Sequence, residues 1–444
     1  MRNRRDLTPK FDTAEAVRIL RDCAHPLQSA ADLDPLMARI GDARVVLLGE
    51  ASHGTHDYYT WRAQLSKRLI EEKGFDFIVV EGDWPDCYNL NRYVKGYTHD
   101  DEKAADVLHR FDRWPTWMWA NWEISALAEW LKKYNSAKDI SGKTGFYGLD
   151  VYSLWESLEA VMDFVAREDP EALPVAKRAY RCFEPYSGDE GREYASALRF
   201  VSKLCEQSAL DLLQEMHQRM AHYEGDPEAA FSAEQNALVT VNAERYYRAM
   251  LQGGGASWNA RDRHMQETLE RLLKFHGPDA KAIVWAHNTH VGDAFFTDMA
   301  DDGMYNIGEL ARARFGPENV LLVGFGSYEG SVIAGREWGA KMQVLPVPKG
   351  RDGSWEALLH EASAENKLLL MDDFRDAPFA KTRIGHRAIG VVYNPEYEQY
   401  GNYVPTEVCE RYDAFLFIDK TEALHPLHMP ADKGKIPETY PFGV

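Results

Sequence analysis

Up to about Asp150, short unbroken apolar runs alternate with stretches whose apolar positions recur every three or four residues. Arg44–Glu50 (RVVLLGE), Phe75–Gly82 (FDFIVVEG) and Thr144–Asp150 (TGFYGLD) have the length and content of buried strands. Between the first two, His56–Lys73 places Tyr58, Arg62, Leu65, Leu69 and Ile70 at helical spacing, and Gly74 provides a stop. Strands separated by helix-length connections predict right-handed βαβ units and a largely parallel sheet. From Tyr152 to about His276 no strand pattern occurs; helical spacings follow one another, as in Trp258, Met265, Leu269 and Leu272. Strand patterns resume at Lys281–Asn288, Asn319–Phe325, Gln343–Pro346, Lys367–Met371, Ala388–Tyr393 and Phe415–Ile418. The pattern predicts an α/β fold with a mixed, mostly parallel sheet flanked by helices. Residues 1–151 and 279–444 form that core, and 152–278 are a helical insertion, or lid, walling one side of a cleft. After Leu424, prolines at 426, 430, 437 and 441 predict irregular chain laid over the surface.

Composition narrows the function classes. Of 444 residues, 45% are apolar or aromatic, enough for a large core without disulfides. Lys and Arg number 51 against 70 Asp and Glu, a net charge of −19 that repels nucleic-acid phosphates and anionic lipid. No run approaches the roughly 18 apolar residues of a membrane helix. The basic start MRNRRDLTPKFDTAE has no apolar stretch behind it, so a secretory signal is not expected. Five scattered cysteines (Cys23, Cys87, Cys182, Cys205, Cys409) without a CxxC pair read as reduced thiols of a cytoplasmic protein.

Open α/β sheets bind ligands beyond the carboxyl ends of their strands. There the chain places Glu50-Ala51-Ser52-His53, Glu81-Gly82-Asp83, Asp150 and His287-Asn288-Thr289-His290. So many ionisable groups at one edge are costly to desolvate unless they serve one another or a ligand. His53 stands between small residues, three positions from Glu50; a nearby carboxylate would orient such a ring as a base for water. Ser52 lacks the G-x-S-x-G spacing of a nucleophile elbow. Gly324–Gly330 reads as a tight turn after a strand. Trp114, Trp117, Trp119 and Trp122 read as packing for a helix, with a sugar-stacking platform as the functional alternative. Cys87 reads as a buried structural thiol, His56, His99 and His109 as surface or packing residues, and Asp100-Asp101 as a solvated turn.

VVLLGEASHGTHDYY, VVEGDWPD and WAHNTHVGD together resemble the erythromycin esterase-like family, which includes erythromycin esterases and succinoglycan biosynthesis proteins. The resemblance implies metal-independent hydrolysis of a macrolactone ester, with His53 as general base. It places Glu50, Arg62, Glu81, His287 and His290 at the other family site positions, and NARDRHM, with Arg261 and Asp262, in the cleft lining.

Ester hydrolysis needs a base for water, a group to hold that base, and positive charge for the oxyanion. His53 suits the first role, Glu50 or Glu81 the second, and Arg62 or a protonated His287 the third. His290, Arg261, Asp262 and Asp150 would bind substrate. The expected partner is a small ester or lactone, with no cofactor. One alternative is a metal-dependent hydrolase using His53, His287, His290, Glu50 and Glu81 as ligands. Another is a carbohydrate-binding protein without catalysis.

Overall fold

A computed structural model describes residues 11–99, 101–189, 191–201 and 204–429. Its main sheet comprises β1 (His25–Pro26), β2 (Val45–Leu48), β3 (Phe77–Asp83), β4 (Gly145–Asp150), β5 (Ala282–Trp285), β6 (Val320–Ala334), β7 (Gln343–Val347), β8 (Lys367–Leu370) and β11 (Ala414–Thr421). The order is β1-β8-β11-β6-β2-β5-β3-β4, with β7 on the far half of β6. From β11 to β4 every neighbour is parallel; β8, β1 and β7 add antiparallel edges. β9 (Ile384–Arg387) and β10 (Tyr403–Thr406) make a separate antiparallel ribbon. The central strands are buried on both faces, which is why they read as continuous apolar runs.

The helix His56–Lys73 ends at Gly74, whose φ of +67° is the left-handed stop that glycine permits. No strand occurs among the described residues between Asp150 and Ala282. The helices Leu154–Glu168, Leu173–Phe183, Glu206–Met220, Pro227–Met250 and Ala256–His276 dominate there. They enclose a core of their own, which includes Leu158, Leu212, Met216 and Val241. In Ala256–His276 the expected stripe holds: Met265, Leu269 and Leu272 are buried, while Trp258 stacks on His290.

Three expectations are corrected. Cys182 and Cys205 form a disulfide with Cα atoms 5.8 Å apart, because folding of this helical region brings together positions 23 residues apart. That removes the thiol argument for a reducing compartment; Cys23, Cys87 and Cys409 remain free. Burial pushes the Cys87 thiol well up, as suits a structural cysteine. Gly324–Gly330 is not a turn but the middle of β6. Side chains on Gly324 and Gly326 would strike Phe415 of β11, so these glycines admit the neighbouring strand. Ala388–Tyr393 is not a strand either. Its N–H groups are taken singly, by Asn402 (from Ala388), Ala51 (from Ile389) and Gly335 (from Tyr393), and the ribbon lies on each side.

No helix among the described residues is long and apolar enough to cross a membrane. The first ten residues, Asp100, Pro430, Pro437 and Pro441 lie outside the described residues.

Candidate active site

Leu48 of β2 and Val80 of β3 both pair in register with Trp285 of β5, and Val80 also pairs with Gly148 of β4. Their carboxyl ends are therefore level, and Glu50, Glu81, Asp150 and His287 emerge at one edge. Two glycines hold the His53 loop close. A Cβ on Gly49 would lie 2.1 Å from Asn288 Oδ1, and one on Gly54 would lie 2.0 Å from the Ile333 carbonyl oxygen.

His53 Nδ1 lies 2.9 Å from Glu50 Oε1, so the carboxylate accepts its proton and leaves Nε2 as the free lone pair. Glu50 Oε2 accepts from Arg62 Nη2 at 2.7 Å. Arg62 is fully buried, sandwiched over the Tyr59 and Trp285 rings at 4.3 and 4.6 Å, and its Nε and Nη1 make no hydrogen bond among the described residues. It stands behind Glu50, outside the cavity lining, so its placement suits holding Glu50 rather than meeting an oxyanion. Burial opposes a charge on His53, but Glu81, with Oε1 4.0 Å from Nε2, and the Glu50 hydrogen bond outweigh it and raise its pKa.

Glu81 anchors a second cluster. Its Oε1 accepts from Arg261 Nη2 at 2.6 Å, and its Oε2 from the His287 N–H at 2.8 Å. Arg261 also binds Asp150 through Nε and Nη2, at 2.9 and 2.6 Å. His290 is held at both ends: Nδ1 lies 2.9 Å from Asp262 Oδ1, and Nε2 lies 2.8 Å from Arg261 Nη1. A guanidinium has no acceptor, so that contact makes His290 Nε2 the acceptor. Burial opposes the Glu81 charge, yet His290, Arg261 and His53 around it hold its pKa well below the usual carboxylate range. Burial pushes Asp262 up, against the pull of His290.

His287 departs from expectation. Thr289 N–H donates to its Nδ1 at 3.3 Å, so the ring proton sits on Nε2, which leans toward the Ala51 carbonyl without a well-formed hydrogen bond. Burial, then the neighbouring His53 with ring centroids 4.8 Å away, push its pKa well down. A protonated His287 is therefore the wrong cation; Arg261 is the arginine that reaches both cluster and cavity.

The cavity over this cluster has a volume of about 150 Å³. His53, Glu81, Asp150, Tyr152 and Arg261 line it, and Trp114, Trp119 and Trp338 form its aromatic side. Trp117 is packed away in the core and Trp122 is half-buried against it, so the tryptophan segment divides between packing and lining. Ser52 hydrogen-bonds to Thr55 and does not line the cavity.

Sequence reasoning placed Asp83 at this edge but missed Asp86, Arg113 and Trp338 in the lining. The acids at and just after the end of β3 (Glu81, Asp83, Asp86) were a signal for Asp86; Arg113, 2.8 Å from Asp83, carried none. Burial, then Asp83, Glu156 and Asp112, raise Asp86 to about 8. An acid with a raised folded pKa costs stability increasingly as pH climbs from its unfolded value to the folded one. Asp86→Asn should therefore raise the melting temperature, with the gain growing from pH 5 to pH 8; thermal unfolding across that range checks it, and a gain independent of pH would contradict it.

Residues 70–421 match the family model described as erythromycin esterase. Erythromycin esterase type II of Escherichia coli is 24% identical over 379 residues, spanning 80% of this chain and 86% of that protein. The crystal structure of a succinoglycan biosynthesis protein shares the fold with a TM-score of 0.74 at 22% identity, covering 93% of this chain and 98% of that one. A mutant erythromycin esterase in its open conformation gives 0.65 at 17% identity, covering 91% and 97%.

Proposed function

Because the chain belongs to the erythromycin esterase family, which supports a hydrolase of the esterase type, we propose that it hydrolyses a carboxylic ester of macrolactone type with water activated at His53. One observation carries this reading: His53 lines the cavity, and Glu50, backed by Arg62, fixes its proton on Nδ1. Nε2 takes a proton from water as the oxygen attacks the acyl carbon. Arg261, with Glu81 and Asp150 holding its fork, faces the developing oxyanion. The tetrahedral intermediate collapses as the Nε2 proton passes to the leaving alcohol, which restores the base.

The pairing of carboxylates also favours chemistry without a metal at this cluster. Glu50 already faces Arg62, and Glu81 and Asp150 face Arg261, so fixed cations occupy the oxygens a divalent ion would use. The cavity is smaller than the roughly 300–1,000 Å³ of sites for drug-sized ligands. A macrolactone would therefore need the aromatic side, formed by Trp114, Trp119 and Trp338, to open.

A panel of esters and lactones, macrolides included, tests the reading on the parent protein with and without chelator. Turnover of a carboxylic ester that survives chelation supports it; binding without turnover would favour a carbohydrate-binding role. The base works unprotonated, and His53 has a raised pKa, so kcat/KM should fall as pH drops through a value above about 6.5. Glu81→Gln removes the largest charge raising that pKa and should move the fall to lower pH. A profile with its acid limb at or below that of free imidazole would contradict the assignment.

A further inference from the structure

Three residues beyond His53, and outside the cavity lining, His56 meets Glu123 and His425. They come from the start of the helix His56–Lys73, the start of the helix Trp122–Asn135 and the chain after β11. Glu123 Oε1 lies 2.6 Å from His56 Nδ1 and 2.7 Å from His425 Nδ1, and the two rings meet edge to face with centroids 5.1 Å apart. Glu123 is only 6% exposed, and its Oε2 is buried with no hydrogen-bond partner among the described residues. A buried carboxylate oxygen left without a hydrogen bond is costly, and a bound cation would satisfy it. One ligand atom from each residue can be chosen so that all three lie within 4.8 Å of one another.

We propose that His56, Glu123 and His425 form a metal site for a divalent transition ion of the zinc class, and that this ion fastens the chain after β11 to the two helices. Two imidazoles and one carboxylate are zinc-type ligands, whereas calcium and magnesium take oxygen. Neighbouring ligands of a tetrahedral ion with bonds of about 2.0–2.1 Å stand about 3.3 Å apart. The two contacts to Glu123 Oε1, at 2.6 and 2.7 Å, are shorter than that, so binding opens them and gives Oε2 a partner. Each ring binds as a neutral imidazole with its Nδ1 lone pair bare and its proton on Nε2, so protonation to imidazolium competes with the ion and affinity falls in acid. Both rings reach solvent, with side-chain exposures of 19% and 22%, which leaves an entry path and a fourth position for water. Burial opposes the Glu123 charge, but hydrogen bonds from His425 and His56 hold its pKa at about 2, so the carboxylate is ionised.

The backbone is already laid in place for such a fastening. Leu424 N–H donates to Gly54 O at 3.0 Å, Trp122 N–H to His425 O at 3.1 Å, and Leu427 N–H to Ala120 O at 2.9 Å. The first of these bonds falls beside His53, so the ion would also steady the loop that carries the base.

The test uses the whole chain stripped with chelator, then titrated with Zn²⁺ by calorimetry and with Co²⁺ by visible absorption. His53→Ala serves as the control for the catalytic histidines. The expected result is one Zn²⁺ per chain in parent and in His53→Ala, and a melting temperature raised by the ion. His425→Ala and Glu123→Gln should weaken binding by about a hundredfold or more, beyond the loss typical of an outer-shell partner. Should either fail to fold, His56→Ala removes the remaining ligand, at the start of its helix. No stoichiometric binding to the parent, binding unchanged in the ligand variants, or binding lost in His53→Ala would each overturn the site.

Discussion

Replacing His53 by alanine should lower kcat/KM on the best ester substrate by roughly 10²–10⁴-fold, the usual share of a general base. The fold should survive, because the Glu50–Arg62 pair behind the ring stays intact at 2.7 Å. Glu50→Gln keeps the ring in place but weakens its hold on the Nδ1 proton, so its loss should fall between parent and His53→Ala. Initial rates with circular dichroism on the same samples check both. Hydrolysis by His53→Ala within a few-fold of the parent would remove the histidine from the chemistry.

Arg261→Met should cost about 3–5 kcal/mol, the usual result of leaving buried charges without their partner. It strands Glu81 and Asp150, each 2.6 Å from its Nη2 and both buried. The pH dependence carries the sign. Glu81 has a folded pKa below its unfolded value, so its contribution is full above about 4.3 and fades as pH falls through the folded pKa. The deficit of Arg261→Met should therefore be largest near pH 7 and shrink in acid as the stranded carboxylates take up protons. Urea unfolding at several pH values reads it; a deficit under about 1 kcal/mol at pH 7 would place the cluster's stability elsewhere.

The sheet edge was legible because parallel strands end level and their last polar residues stand out against apolar runs. Glu50 and His53 share one short loop, and Arg62 follows on the inward stripe of the next helix, so local periodicity brought that trio together. The partners of Glu81 were harder to read. Arg261 is 180 residues away, and nothing in NARDRHM says that its arginine reaches Glu81 and Asp150 rather than solvent. Protonation was less legible still. His287 looks like a cation in sequence, but burial and the adjacent His53 keep it neutral. His56 read as a surface or packing residue because Glu123 lies 67 residues from it and His425 a further 302 beyond Glu123, joined by chain crossings that no local pattern records.

The central claim is that His53 stands in the cavity as an oriented base, with its proton on Nδ1 toward Glu50 and its lone pair on Nε2. Nitrogen-15 NMR of histidine-labelled protein, assigned with His53→Ala and titrated with acid, reads both points in one experiment. The account predicts an Nδ1–H ring at high pH that becomes fully protonated at a pKa above about 6.5. An Nε2–H ring, or a pKa below that of free imidazole, would contradict it.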